Sequence, residues 1–177
     1  MRCPAGMCQE RFCEFGCLRE YEGLVRNLVY HITHNPNDVD DLTQEILVKA
    51  YQSRNAFRGG NFRAYLCRIA RNHCYDALRK RRLRSEVTLE DAAVEQWAVS
   101  AETPETVALA DESTREVYAL LTELGETDRE ILVMRHLNDM SYQEIAEVMG
   151  MQAGAVRTRV SRARQKVQEL LERRAAR

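Results

Sequence analysis

Eleven lysines and arginines fall between residues 49 and 84, with Asp76 as the single acid among them. Cations of this density neutralise phosphates, and without a polyanion they repel one another. The stretch Phe62-Arg63-Ala64-Tyr65-Leu66-Cys67-Arg68-Ile69-Ala70-Arg71-Asn72 interleaves them with aromatics, and Asp76-Ala77-Leu78-Arg79-Lys80-Arg81-Arg82 carries the charge onward. Such interleaving suits melted nucleic acid, in which exposed bases stack on rings and phosphates meet guanidinium groups. Phe62, Tyr65 and Tyr75 are expected in the core in preference to base contacts. A second block, residues 154–166, holds five basic groups and no acid. Between the two, residues 85–130 carry thirteen acids against Arg115 and Arg129. One charged run is usually a solvated face, but basic blocks on either side of an acidic one point to two polyanion-binding surfaces. Asp38-Val39-Asp40-Asp41-Leu42-Thr43-Gln44-Glu45 has the opposite character. Acids favour a helix start, yet there are more here than one cap needs, which points to a basic protein partner.

Six cysteines add a separate chemistry. Cys3, Cys8, Cys13 and Cys17 lie within the first seventeen residues, while Cys67 and Cys74 stand apart. Cys13 and Cys17 are spaced to chelate from one helix face, and Cys3 and Cys8 could complete a tetrahedral thiolate site for zinc or another metal. The spacings lack the CxxC knuckle, so a thiol–disulfide switch and no special role stay open beside the metal reading. Cys67 and Cys74 read as small buried residues. His31 and His34 could add a ligand, though surface or capping roles are commoner.

The elements that position these groups are helical throughout. Leu18, Tyr21, Leu24, Val25, Leu28, Val29 and Ile32 line one face of a helix, which Asn35-Pro36-Asn37 ends. Asp38 is expected to cap a second helix whose inner side carries Val39, Leu42, Ile46, Leu47 and Ala50. Arg58-Gly59-Gly60-Asn61 reads as a turn, and residues 62–82 as a third helix. Residues 85–112 read as a linker with a helix start at Thr103-Pro104-Glu105. Residues 113–124 and 128–137 are again amphipathic. Ser141-Tyr142-Gln143-Glu144 fits a capping box, and Gly150 falls where a left-handed cap is needed. A final helix runs from about Gly154 to Arg173, so two short helices meet at a tight glycine turn, the mark of a helix-turn-helix. On that last helix Val156, Val160, Ala163 and Val167 form one stripe, with Thr158, Ser161, Arg162 and Gln165 opposite. Docked by its valines, it would offer short polar groups and an arginine to base edges and flanking cations to phosphates.

Asp38–Tyr51, Phe57–Asn72 and Asp76–Arg82 resemble region 2 of bacterial extracytoplasmic-function sigma factors, and Leu124–Arg164, with SYQEIAEVMGMQAGAVRTRVSRAR at its heart, resembles their region 4. The resemblance implies an all-α chain of two small helical domains joined by a flexible acidic linker: a cysteine-rich extension (1–17), region 2 (18–84), the linker (85–112) and region 4 with its helix-turn-helix (113–177). It implies a promoter-specificity subunit of RNA polymerase without catalysis of its own. Asp38, Asp41, Leu42, Gln44 and Glu45 would meet the clamp helices of the largest polymerase subunit, with the flap as a further core contact. Arg58, Asn61, Arg68, Arg71, Asn72 and Arg79 would engage the −10 element, the Arg58–Asn61 turn holding a flipped base. Arg157, Thr158, Ser161 and Arg162 would read the −35 element, helped by Arg135. An anti-sigma protein is the usual restraint in such systems.

Composition narrows the alternatives. No apolar run approaches the roughly 18–20 residues that span a bilayer, and Met1-Arg2-Cys3-Pro4 opens no signal-peptide core, so the expected setting is cytoplasmic, without membrane insertion. No nucleophile–base pair, phosphate loop or paired catalytic carboxylate stands out, and no cofactor is required. A stand-alone helix-turn-helix regulator binding duplex DNA as a dimer would leave residues 38–82 unexplained. A metal or redox sensor with DNA binding as its output is compatible with the sigma reading.

Overall fold

The computed structural model describes residues 16–88 and 119–175, and among them there is no strand. A short α1 (Gly16–Arg19) leads into α2 (Glu22–Thr33). His34 ends α2 in the left-handed region at φ 52°, its N–H closing on the Tyr30 carbonyl at 2.9 Å. The break at Asn35-Pro36-Asn37 is a 3-10 turn, Pro36–Asp38, before α3 (Val39–Gln52). Asp38 does not cap α3 with its side chain, contrary to expectation. Asn35 caps the preceding turn instead, accepting from the Asn37 N–H at 3.1 Å, and its amide donates to the Asp38 carboxylate at 2.9 Å. The inserted turn gives Asp38 a helical backbone, so its carboxylate points away from the amides a cap would satisfy.

A second 3-10 turn, Arg54–Ala56, leads to Gly59 and Gly60 at φ 95° and 99°, where a side chain would be strained. The chain then enters α4 (Phe62–Thr88), capped by Asn61, whose Oδ1 accepts from the Ala64 N–H at 3.1 Å. The helix outruns the expected 62–82 and takes up the first residues assigned to the linker, since nothing before Thr88 breaks it. The proposed helix start at Thr103-Pro104-Glu105 lies outside the described residues.

The second half contributes a helical stretch at 119–122, α5 (Glu126–Leu132), a π-helical turn (Val133–Leu137), α6 (Tyr142–Met149) and α7 (Ala153–Ala175). The π turn ends α5 because the Asn138 N–H reaches back to the Val133 carbonyl and the Met140 N–H to Met134. Asp139 sits between them at φ 48°. The capping box is present in full: Ser141 Oγ accepts from the Glu144 N–H at 3.2 Å, and the Glu144 carboxylate accepts from the Ser141 N–H at 2.6 Å. Gly150 closes α6 at φ 65°.

The two halves share one apolar core. Val25, Leu28 and Val29 of α2, Ile46 of α3, and Leu66, Cys67 and Ala70 of α4 are fully buried together with Met134, Met140, Ile145 and Val156 from the second half. Cys67 Sγ lies 3.6 Å from Met140 Sδ across the junction. Each large side chain so buried contributes on the order of 1.5–3 kcal/mol. Phe62 is core as expected, packing edge-on against Tyr21 at 5.2 Å and Phe57 at 5.5 Å.

Candidate nucleic-acid interface

α4 carries the basic and aromatic groups of the first block on a helix held from below by Phe62, Leu66, Ala70 and Cys74. Tyr65 is half-buried, its hydroxyl donating to the Ser53 carbonyl at 3.0 Å, so its ring supports the turn before α4. The neighbouring polar side chains divide into two sets. Arg58, Asn72 and Arg79 are exposed, Arg79 bonding only its neighbour Asp76 at 3.0 Å among the ion pairs described. Asn61, Arg68 and Arg71 face the second half of the chain. The Asn61 amide donates to Glu144 at 2.9 Å, Arg68 donates to the Glu147 carbonyl at 2.7 Å, and Arg71 Nε donates to Glu130 at 2.7 Å. Arg63 joins them through the Asn138 carbonyl, and the Tyr75 hydroxyl donates to the second Glu130 oxygen.

Glu130 is only 1% exposed, and it binds both groups across the junction. Burial first, then its bond to Glu130, raise the Tyr75 hydroxyl pKa above the ordinary value. For Glu144 burial opposes ionisation, but bonds from the Ser141 N–H and the Asn61 amide outweigh it and hold its pKa low. Asn138, 4% exposed, completes the seam: its amide donates to the Leu24 carbonyl at 3.1 Å and its oxygen accepts from Asn27 at 3.0 Å.

α3 offers the acidic surface. Asp41, Gln44 and Glu45 are exposed at helical spacing, and Val48, exposed at 47%, extends the stripe by one turn. Leu42 turns inward and packs against the core, apart from that stripe. Asp38 pairs with Arg81, Asp40 with Arg26, and Glu45 with His73 at 2.7 Å. His73 therefore ties the acidic helix to the basic one.

α7 presents Arg157, Thr158, Ser161 and Arg162 to solvent while Val156, Val160 and Ala163 anchor it, with Val167 partly buried. Thr158 Oγ1 returns a bond to the Gly154 carbonyl at 3.1 Å. Arg159 pairs with Asp128 at 2.7 Å, fixing α7 on α5. Arg135 stands apart from the exposed stripe: it is half-buried, donates to the Met140 carbonyl at 2.9 Å and lies 5.0 Å over the Tyr142 ring. Arg157 approaches the same ring at 5.4 Å, so Tyr142 lies within cation–π reach of both.

Sequence reasoning missed Val48, Glu130 and Asn138. A lone exposed valine on an acidic face was a readable signal; the other two look like ordinary members of their segments. It also missed a cluster where α2 meets α5. His31 is buried, and burial, then His34 and Arg129, lower its pKa to about 3. Burial and Arg129 likewise lower His34 to about 4. His34 Nε2 and Arg129 Nε are buried there without a partner among the described residues.

Cys3, Cys8 and Cys13, and the side chain of Cys17, lie outside the described residues. Among those described, no group of three His, Cys, Asp or Glu is placed to hold a metal, and no helix is long and apolar enough to cross a membrane. Burial pushes the Cys67 and Cys74 thiols up to about 12.

Comparison with known proteins matches residues 17–84 to Sigma-70 region 2 and residues 114–167 to Sigma-70, region 4. The RNA polymerase sigma-H factor of Pseudomonas aeruginosa is 33% identical over 160 residues, covering 86% of this chain and 83% of that one. The ECF RNA polymerase sigma-E factor of Escherichia coli is 34% identical over 164 residues, covering 86% and 85%. Among solved structures, the sigma factor RpoE of Bartonella quintana, crystallised with the anti-sigma factor NepR, superposes with a TM-score of 0.71 at 27% identity over 88% of this chain and 94% of that one. CnrH, in complex with the cytosolic domain of CnrY, shares the fold at a TM-score of 0.64 and 24% identity, over 88% and 84%. With the two regions in order on one polypeptide, the chain belongs to the ECF RNA polymerase sigma factors.

Proposed function

We propose that this sigma factor directs core RNA polymerase to its promoters through three separate surfaces, with no catalysis of its own. The observation that carries the reading is an exposed, acid-free stripe of Arg157, Thr158, Ser161 and Arg162 on the second helix of a helix-turn-helix, in the same chain as the basic α4. The stripe enters the major groove at the −35 element, with side chains at base edges and Arg164 and Lys166 toward phosphates. Arg135 acts there by holding the turn before α6. Asp41, Gln44 and Glu45 dock on the clamp helices of the largest polymerase subunit, with Val48 as their apolar centre, and the flap receives region 4. Arg58, Asn61, Arg68, Arg71, Asn72 and Arg79 capture the opened −10 strand. Extruding a base there costs a few kcal/mol, which strand and polymerase contacts must offset.

Run-off transcription with core polymerase and a promoter library, with and without the protein, tests the reading. Promoter-specific transcripts are expected. Tight duplex binding with no gain of transcript would favour a stand-alone regulator, a reading that leaves the region 2 match without a role. The proposed setting is the cytoplasm, and the proposed restraint is an anti-sigma protein, since the Bartonella quintana relative is bound to one. The N-terminal cysteines are proposed as a zinc or redox site modulating the factor. Zinc and iron quantification on a Cys13→Ser, Cys17→Ser double variant should show lower metal content, and unchanged content removes both as ligands.

A further inference from the structure

Four acids fall from Asp38 through Glu45, and the fold treats them differently. Asp38 is paired with Arg81 and Asp40 with Arg26, each cancelled by a guanidinium. Asp41 stays exposed. Glu45 meets the imidazole of His73, at 2.7 Å to Nε2, with the carboxylate side chain 60% exposed and the histidine 19%. Lys49 lies one turn further along α3, and a glutamate four residues before a lysine is the favoured order for a helical ion pair. Among the ion pairs described that one is not formed; Lys49 Nζ stands 3.5 Å from Nδ1 of the same imidazole. Each ring nitrogen thus has its own partner, and both partners ask for one tautomer. Nε2 carries a proton to donate to the carboxylate, and Nδ1 turns a lone pair to the ammonium.

We propose that His73 is a positioning residue for polymerase docking: set between Glu45 and Lys49, it holds the Glu45 carboxylate in the α3 stripe and keeps the neighbouring ammonium from cancelling it. The proposal rests on the assignment of Asp41, Gln44, Glu45 and Val48 to the clamp. A basic partner is best met by a carboxylate that is fixed in place and still charged. A guanidinium fixes and cancels, as at Asp38 and Asp40; a neutral imidazole fixes without cancelling. Held through Oε2, Glu45 keeps its other oxygen for the incoming cation. The imidazole belongs to α4, so the docking stripe is ordered by the helix packed beside it and not by α3 alone. Exposed contacts of this kind add little to stability, so the consequence of this one is placement.

The test titrates the full chain against core polymerase at fixed salt. His73→Phe keeps a ring and removes both nitrogens, and should weaken core binding roughly threefold with an unchanged thermal midpoint. His73→Gln, which keeps a donor for Glu45 and an acceptor for Lys49, should bind like the wild type. Adding Lys49→Met to His73→Phe should recover most of the loss, because no ammonium is then left to collapse onto Glu45. A histidine that served only the packing of α3 on α4 would not be rescued in that way. Nitrogen NMR of isotope-labelled protein at about pH 8, with His73→Phe identifying the signal, should show the proton on Nε2. Unchanged core binding in His73→Phe, a loss that Lys49→Met does not recover, or the opposite tautomer overturns the proposal. If His73→Phe loses helix content by circular dichroism, His73→Ala replaces it in the same comparison. Failure of the docking reading looks different: Glu45→Gln then leaves core binding unchanged, which removes Glu45 from the clamp contact and the role of His73 with it.

Discussion

The two helices proposed to meet DNA, α4 and α7, are built from the same kinds of residue and end in opposite states. On α7 the arginines of the exposed stripe point to solvent, and the helix is anchored by valines that leave its polar side free. On α4 the corresponding arginines already hold carboxylates and carbonyls from another part of the chain. Cationic character thus does not distinguish an available surface from an occupied one; what lies opposite does. A carboxylate buried at 1% exposure leans on Arg71 and Tyr75, and removing Arg71 would leave Glu130 buried without its counter-charge, which is destabilising.

The largest effect should come from the apolar floor of that seam. Met140→Ala removes a fully buried side chain that touches Cys67, and should lower unfolding free energy in urea by about 2–5 kcal/mol. The comparison predicts that α4 becomes more accessible to hydrogen exchange while α7 changes less; equal loosening of both would break it.

Promoter discrimination separates the helices directly. On a promoter recovered from the run-off library, Arg162→Ala should cost about 1–3 kcal/mol of −35 discrimination in competition binding by holoenzyme. Arg79→Ala should instead weaken all sequences alike and reduce the salt dependence of binding by about one charge. Identical behaviour of the two variants would erase the distinction between a reading face and a backbone-binding one.

Acid should act at the seam through His31 and His34. Both are kept neutral in the folded chain, with pKa values lowered to about 3 and about 4 from 6.5. Below 6.5 the unfolded chain takes up protons that the folded chain refuses, so stability is complete above that pH and falls as the pH drops toward 4. Between pH 7 and 5, His31 alone should remove about 2 kcal/mol of unfolding free energy, and His31→Gln should flatten that slope. A flat profile in the wild type would mean that the α2–α5 contact does not survive in solution.

A smaller effect belongs to α6. Ser141→Ala loses the bond to the Glu144 N–H and should reduce stability by about 1 kcal/mol, read from the thermal midpoint. Because Glu144 also accepts from Asn61, the same change should loosen the seam slightly; no change in exchange at Asn61 would show that the cap and the junction are independent.

What could be read in advance follows the range of the interactions. The capping box, the left-handed Gly150, the paired glycines before α4 and the valine stripe of α7 are decided within one or two helical turns, so residue type and spacing identify them. Asp38 shows the limit even at short range: Asn35 a few residues upstream took the capping role, and Asp38 was left to pair with Arg81 across the fold.

The helical class, the order of the two regions and the chemistry of the three surfaces were written in the residues themselves, because periodicity, caps and charge blocks are local. Which surfaces stand open was decided only in three dimensions. Arg71 meets Glu130 and Asn27 meets Asn138 because one apolar core gathers both halves, and desolvation at that junction gives those few polar contacts their weight.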